Sequence, residues 1–213
     1  MKLVIIGCGA GGATAAQFAR KQDRRAEIII LEKGSHPQYS KCALPWVVSG
    51  ELSPEDIIEF NEEWFDKANI DLRLNNEVTN IDFDGKTVYT DTGTETYDAL
   101  ILATGAMPFS PVELKGDAFF LRTLNDSAAI KKRAVSGAMA VVVGAGLIGL
   151  EAAEALHELN VRVNVIEFLP NLLLNMVDDD VAQVVRRGMP DDITFHFDTK
   201  VTAITAGSPM QVS

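Results

Sequence analysis

The chain has 213 residues, 47% of them hydrophobic, with a formal net charge of -11. That length suits one large domain or two small ones, and the apolar share is enough to bury a core. The acidic balance excludes the basic face that nucleic acid or an anionic membrane surface selects, and no apolar run approaches the ~20 residues that cross a bilayer.

The first predicted element is a strand ending at Ile6, which breaks at once into glycines and so is not a secretory signal. A helix follows over residues 13–20, then a β-rich run over 27–32 that ends in Glu32. Lys21, Arg24 and Arg25 cluster near the helix C-terminus, where basic residues are favoured, so a solvated helix end is the plainer reading. Residues 72–74, 80–83 and 87–90 alternate like short strands, and Asp84-Gly85 fits a tight hairpin turn. Residues 98–104 form an apolar run closing on Gly105, consistent with a buried strand that stops at a turn. Pro108 and Pro111 mark a linker, which places the modules at 1–110 and 111–213. Residues 126–133 read as helix, 150–159 as a second helix, 162–167 as a strand ending in Glu167, and 193–204 as a strand pair. Ser208-Pro209 and three more residues then finish the chain, leaving the second module little room to complete its sheet, so truncation is expected.

An internal repeat organises these elements. Residues 4–12 (VIIGCGAGG) match residues 141–149 (VVVGAGLIG) in pattern, and each copy runs from strand through glycine turn and helix to a strand ending in an acid. Two βαβ units with right-handed crossovers follow, hence parallel strands. The fold class is α/β: two Rossmann-like dinucleotide-binding modules with mainly parallel sheets, the first with an inserted antiparallel β-meander.

Each turn has a chemistry. In Gly7-x-Gly9-x-x-Gly12 the first glycine allows the tight turn, the second lets a pyrophosphate approach the backbone, and the third lets helix and strand pack closely; the helix N-terminus supplies amide donors. Glu32 stands where a carboxylate accepts from a ribose hydroxyl. Gly144-x-Gly146-x-x-Gly149 with Glu167 repeats the device. An acid there suits a free 2′-hydroxyl, and Phe168 and Leu169 bring no arginine for a 2′-phosphate, so NADH is expected over NADPH.

Two cysteines without a CxxC pair are too few for a disulfide scaffold or a zinc site, and His36, His157 and His196 show no metal spacing, so no metal is expected. Cys8 lies within the phosphate turn and reads as structural. Cys42, in YSKCALPW, is placed at a helix start beside Lys41, and both features favour the nucleophilic form of a thiol. The bland alternative is a small buried hydrophobe.

Together the first glycine turn with Glu32-Lys33, the Cys42-Ala43-Leu44-Pro45 stretch, Ala103-Thr104-Gly105 after an apolar strand, and the second turn with Glu167 resemble the pyridine nucleotide-disulfide oxidoreductase family along essentially the whole chain. The resemblance implies FAD in the first module, at Gly7, Gly9, Ala10, Gly11, Gly12, Glu32, Lys33, Val78, Ala103, Thr104 and Gly105. It implies NADH in the second, at Gly144, Gly146, Leu147, Ile148, Gly149 and Glu167. A C-terminal domain that dimerises the full-length protein, and a second FAD motif, are absent from this chain. With Val47 where double-cysteine members carry their second thiol, Cys42 matches the single-cysteine branch of coenzyme A-disulfide reductases, NADH oxidases and peroxidases. Ala10 replaces the histidine that water-forming oxidases and peroxidases typically carry. The implied enzyme is cytoplasmic and passes electrons from NADH through FAD to a small-molecule disulfide at Cys42, with Thr14, Lys21, Lys41 and Lys67 as candidate substrate contacts. Two alternatives stand beside it: an oxidase delivering electrons to O2 or peroxide, and a reductase handing electrons to a small redox protein. Gln38, Tyr39 and Lys41 depart from the coenzyme A pattern before the cysteine.

Overall fold

A computed structural model describes residues 1–110, 112–116, 118–207 and 211–213. Pro111 of the expected linker and the Ser208-Pro209 stretch lie outside the described residues. In chain order the elements are β1 (Lys2–Ile6), α1 (Ala10–Gln22), β2 (Glu27–Leu31), α2 (Leu44–Ser49), α3 (Glu62–Lys67), β3 (Asp71–Arg73), β4 (Val78–Asp82), β5 (Thr87–Thr90), β6 (Thr94–Thr96) and β7 (Ala99–Leu102). Then come α4 (Leu124–Arg133), β8 (Met139–Val143), α5 (Leu147–Glu158), β9 (Arg162–Ile166), α6 (Asp179–Gly188), β10 (Thr194–His196), β11 (Ile204–Thr205) and β12 (Gln211–Val212). They form two compact units, residues 1–40 with 55–107 and residues 41–54 with 108–213.

The first unit is built on a parallel sheet of order β3-β2-β1-β7. Its central strands are continuous runs of Val, Ile and Leu because both faces are covered. Leu3, Ile5, Ile28 and Ile30 pack on one side with Ala13 and Ala16 of α1 and with Phe65. Val4, Ile6, Ile29 and Leu31 pack on the other with Val88 and Tyr97, which belong to the antiparallel meander β4-β5-β6 and its exit. The meander turns where Asp84-Gly85 was expected to turn it, with the Gly85 amide donating to Asp82 Oδ1 at 2.8 Å. The strand expected at 72–74 lies at 71–73 and joins the parallel sheet beside β2, Ile29 facing Asp71. Burial of Ile70 in the cluster with Phe65 and Ile28 draws this segment to the sheet edge.

One carboxylate ties the meander to the sheet. Glu95 of β6 accepts from Lys2 of β1 at 2.7 Å and from Arg73 of β3 at 2.5 Å. Burial pushes the Glu95 carboxyl up, but the hydrogen bonds from Lys2 and Arg73 outweigh it and hold the group below its ordinary value of 4.5.

The second unit has a parallel sheet of order β10-β9-β8 and a separate antiparallel pair, β11 with β12. The region expected as one strand pair over 193–204 is thus divided. Residues 194–196 extend the parallel sheet beside β9, anchored by buried Ile193, and residues 204–205 pair with 211–212 instead. Segment 41–54 packs here: Val48 joins the core with Leu150, Leu156 and Val165. The Ser127 hydroxyl of α4 donates to Leu44 O at 3.5 Å, and Lys131 Nζ to Val47 O at 3.4 Å. α4 itself starts on a capping box in which Thr123 and Asp126 satisfy each other's amides.

The two copies of the repeat differ on one face. Val4 and Ile6 of β1 are 0% and 7% exposed, whereas their counterparts Val141 and Val143 of β8 are 38% and 52% exposed. The meander accounts for the contrast: it covers the first face, and among the described residues nothing comparable covers the second.

Because the Glu95 carboxyl is depressed in the fold, its contribution is present above the unfolded value and is lost as pH falls through the folded one. Glu95→Gln is expected to destabilise the chain by about 1 kcal/mol at pH 7, a gap that narrows below pH ~4.5. Urea denaturation of both proteins at pH 7 and pH 4 checks the sign.

Candidate dinucleotide and thiol sites

The first glycine turn is set by contacts that no larger residue permits. Gly7 has φ +99°, and a Cβ on it would lie 2.4 Å from Ala103 O. A Cβ on Gly12 would lie 1.9 Å from Gly7 O. The third glycine is therefore the condition for helix α1 to start directly on the strand. Gly9 and Gly11 differ: a Cβ at either would meet nothing within 4 Å, so the approach to the turn is open. Gly9 caps α1 in an extended conformation, with no side chain on the first amides and no acid in the first turn. Such a helix start has unused N–H donors and a positive dipole end, which suits phosphate.

The second turn repeats the strand-to-helix part of this geometry, while a Cβ on its first glycine, Gly144, would meet nothing within 4 Å. Gly144 has φ +101°, and a Cβ on Gly149 would lie 1.9 Å from Gly144 O. Gly146 caps α5 without a side-chain bond, again with no acid in the first turn and open space at its Cβ. Leu147 and Ile148, at the start of α5, are exposed at 54% and 60%.

Both acids are engaged by the backbone. Glu32 Oε2 accepts from the Cys8 amide and Oε1 from the Gly34 amide, each at 2.7 Å. Glu167 Oε2 accepts from the Ala145 amide at 2.6 Å and Oε1 from the Leu169 amide at 2.9 Å. Sequence reasoning assigned each acid a ribose contact and missed these bonds. The signal was a residue two past the acid, Gly34 or Leu169, whose amide a glutamate can reach by folding back.

The structure gathers some expected residues and separates others. Ala103 follows β7 beside Gly7, its amide donating to Ile6 O at 2.9 Å, and Gly105 turns with φ +69°. Val78 and Thr104 line one open cleft of about 380 Å³ with Ile6, Ile81, Phe83 and Leu102. Ala10 opens α1, and Lys33 is exposed beyond Glu32. Thr14 and Lys21 lie on the exposed side of α1, Lys21 Nζ standing 4.8 Å from the Phe18 ring centroid. Lys67 is on α3 and pairs with Glu63 at 2.6 Å. Lys41 and Cys42 belong to the second unit, in a single 3-10 turn leading into α2.

The two thiols have opposite environments. Cys42 is exposed. Along residues 41–49, Ala43, Leu44, Pro45, Val47 and Val48 are buried, so Cys42 and half-exposed Trp46 share the solvent side of one helical stretch. Cys8 is 3% exposed, and burial, reinforced by the charge of Glu32, pushes its thiol up to about 12. Among the described residues no cluster of His, Cys, Asp and Glu is arranged to hold a metal, and no helix is long and apolar enough to cross a membrane.

Two parallel-sheet units, each with an acid-backed glycine turn, define a two-module dinucleotide-binding protein. The family model for pyridine nucleotide-disulphide oxidoreductases matches residues 1–212, and the chain belongs to that family. An NADH oxidase of Methanocaldococcus jannaschii is 37% identical over 201 residues, 88% of this chain and 44% of that protein. A rubredoxin-NAD(+) reductase of Pseudomonas putida is 32% identical over 96% of this chain and 54% of that one. Among solved structures, an NAD-dependent persulfide reductase from A. fulgidus superposes with a TM-score of 0.88 at 32% identity, covering 96% of this chain and 41% of that chain. The chain thus spans about half the length of these relatives, and the relatives differ in electron acceptor.

Two outcomes follow from the geometry. Gly12→Ala, although it adds a good helix former, is expected to destabilise the chain by about 2 kcal/mol or more, while Gly9→Ala changes stability by less than ~0.5 kcal/mol; chemical denaturation of the pair checks this. In the native chain at pH 7.5 iodoacetamide adds one carbamidomethyl group, at Cys42, and in denaturant two, counted by intact mass and peptide mapping.

Proposed function

We propose that this chain is the nucleotide-binding part of an FAD-dependent NADH oxidoreductase that reduces a small-molecule disulfide, such as coenzyme A disulfide, through Cys42. The observation that carries the reading is the pair of acid-backed glycine turns in a chain whose one exposed thiol among the described residues is Cys42. The open Gly9 and Gly146 positions and the uncapped helix starts fit a pyrophosphate at each turn. FAD would be held by Gly7, Gly9, Ala10, Gly11, Gly12, Glu32, Lys33, Val78, Ala103, Thr104 and Gly105. NADH would be held by Gly144, Gly146, Leu147, Ile148, Gly149 and Glu167, whose carboxylate repels a 2′-phosphate. Bound there, the flavin would supply the hydride-accepting chemistry that no side chain has.

The chain's own part is nucleophilic. The Cys42 thiolate attacks one sulfur of the disulfide, a Cys42–sulfur bond forms, and the other sulfur leaves as a thiolate that takes a proton from solvent. Two electrons from NADH with one more proton then release the second thiol, so NADH, a proton and one disulfide give NAD+ and two thiols. Thr14, Lys21, Lys41 and Lys67 are the candidate substrate contacts of this reading, Lys67 also forming an exposed ion pair with Glu63. The A. fulgidus persulfide reductase, a relative that acts on a sulfur substrate, supports it. Dimerisation of the full-length protein and a cytoplasmic location belong to the same reading.

The NADH oxidase relative favours a second reading, in which electrons pass to O2 or peroxide and Cys42 cycles through a sulfenic acid. Cys42→Ser separates the two. Disulfide-dependent NADH oxidation, followed anaerobically at 340 nm, is expected to fall at least ~100-fold while the flavin absorbance of the protein is retained. Disulfide reduction unchanged in the variant would sink the first reading. Aerobic NADH consumption that exceeds disulfide reduction and falls with the thiol would install the second.

A further inference from the structure

The geometry points to Glu32 and Glu167 as positioning residues that brace the glycine turns for phosphate, beyond any contact they make with a ribose; this rests on the dinucleotide reading above. The same lattice of bonds stands in two copies of unlike sequence. At each turn the first glycine amide donates to the last residue of the neighbouring strand, Gly7 to Leu31 O and Gly144 to Ile166 O, both at 2.8 Å. The next amide, of Cys8 or Ala145, donates to the acid, and the acid's other oxygen takes the amide two residues beyond it, Gly34 or Leu169. Each carboxylate is thereby a bridge between the turn and the chain leaving the second strand.

Without the acid, the amide after the positive-φ glycine loses its partner. The residue bearing that amide is 3% exposed at Cys8 and 0% at Ala145, so water cannot freely replace the carboxylate. The glycine turn would then relax, and the helix-start amides that it aims would no longer converge on one phosphate position. A glutamine cannot restore the bridge, because only one of its two terminal atoms accepts a hydrogen bond. An aspartate is one methylene shorter and keeps the charge without the reach. The clamp also has a consequence for selectivity. A carboxylate held at both oxygens has no free rotation by which to avoid a 2′-phosphate, so Glu167 presents its charge to that position rigidly.

The test uses the chain with Glu167→Gln and Glu167→Asp, and two probes: NADH, and an NADH analogue lacking both hydroxyls of the adenosine ribose. Affinities are measured by fluorescence titration, and amide hydrogen exchange is followed in the ligand-free chain. Both substitutions are expected to weaken the analogue about 10-fold, and NADH by at least as much. They should also accelerate exchange at Ala145 and Leu169 while leaving Cys8 and Gly34, held by the intact Glu32, unchanged. Loss of NADH affinity with the analogue unaffected to within ~2-fold, or unchanged exchange at Ala145, would overturn the brace and leave a ribose contact only. Failure of the unsubstituted chain to bind either probe would count against the nucleotide reading instead, and the exchange measurement would still decide the brace.

Discussion

The molecule depends on how closely two backbones approach at each glycine turn. In the first unit the position a Cβ would take on Gly12 is 1.9 Å from Gly7 O, and on Gly7 2.4 Å from Ala103 O. Three segments, the end of β1, the start of α1 and the residues after β7, therefore meet with only the Ala103 methyl beside Gly12. From that contact follows the direction of α1, which rises off the strand with its uncapped N-terminus facing open space. The contact of strand with helix recurs in the second unit at Gly149 and Gly144, also at 1.9 Å, although a Cβ on Gly144 itself would meet nothing within 4 Å. A helix start with unpaired amides is ordinarily a cost. Here it occurs twice, at Gly9 and at Gly146, and a helix start of that kind suits a phosphate.

Around this shared frame the two units diverge, and the divergence is informative. In the first, the meander β4-β5-β6 lies over Val4 and Ile6, and Glu95 fastens it to Lys2 and Arg73 on separate strands. In the second, the corresponding strand face carries Val141 and Val143 in the open. The second unit instead takes up α2 from the segment 41–54, whose Val48 enters its core while Cys42 and Trp46 remain on the solvent side. The thiol thus sits in the 3-10 turn that leads into α2, a short helix anchored by packing and by bonds from Ser127 and Lys131.

The thiols show how environment sorts identical side chains. Cys8 sits where the backbone is most crowded, beside the Glu32 carboxylate, and both features disfavour its anion. Cys42 lies at a surface turn. Family membership supplies the redox setting, and the relatives differ in electron acceptor.

By itself the sequence determined the repeat, the glycine turns, the acids that end their second strands, and the parallel sheets, because these depend on local rules: alternation, the backbone freedom of glycine, and short chain separation between turn and acid. It also separated the two cysteines by context, one inside a turn and one before Ala-Leu-Pro. Only the tertiary structure decided matters set by contacts between distant residues. Residues 71–73 joined the parallel sheet because Ile70 is buried with Phe65, and 193–204 split between two sheets because residues 211–212 offered a nearer partner. Segment 41–54 packed with the second unit through Val48. The carboxylates of Glu32 and Glu167 turned back onto the amides of Cys8 and Ala145, which no local pattern records, since a hydrogen bond between positions 8 and 32 or 145 and 167 exists only once the strands are in register.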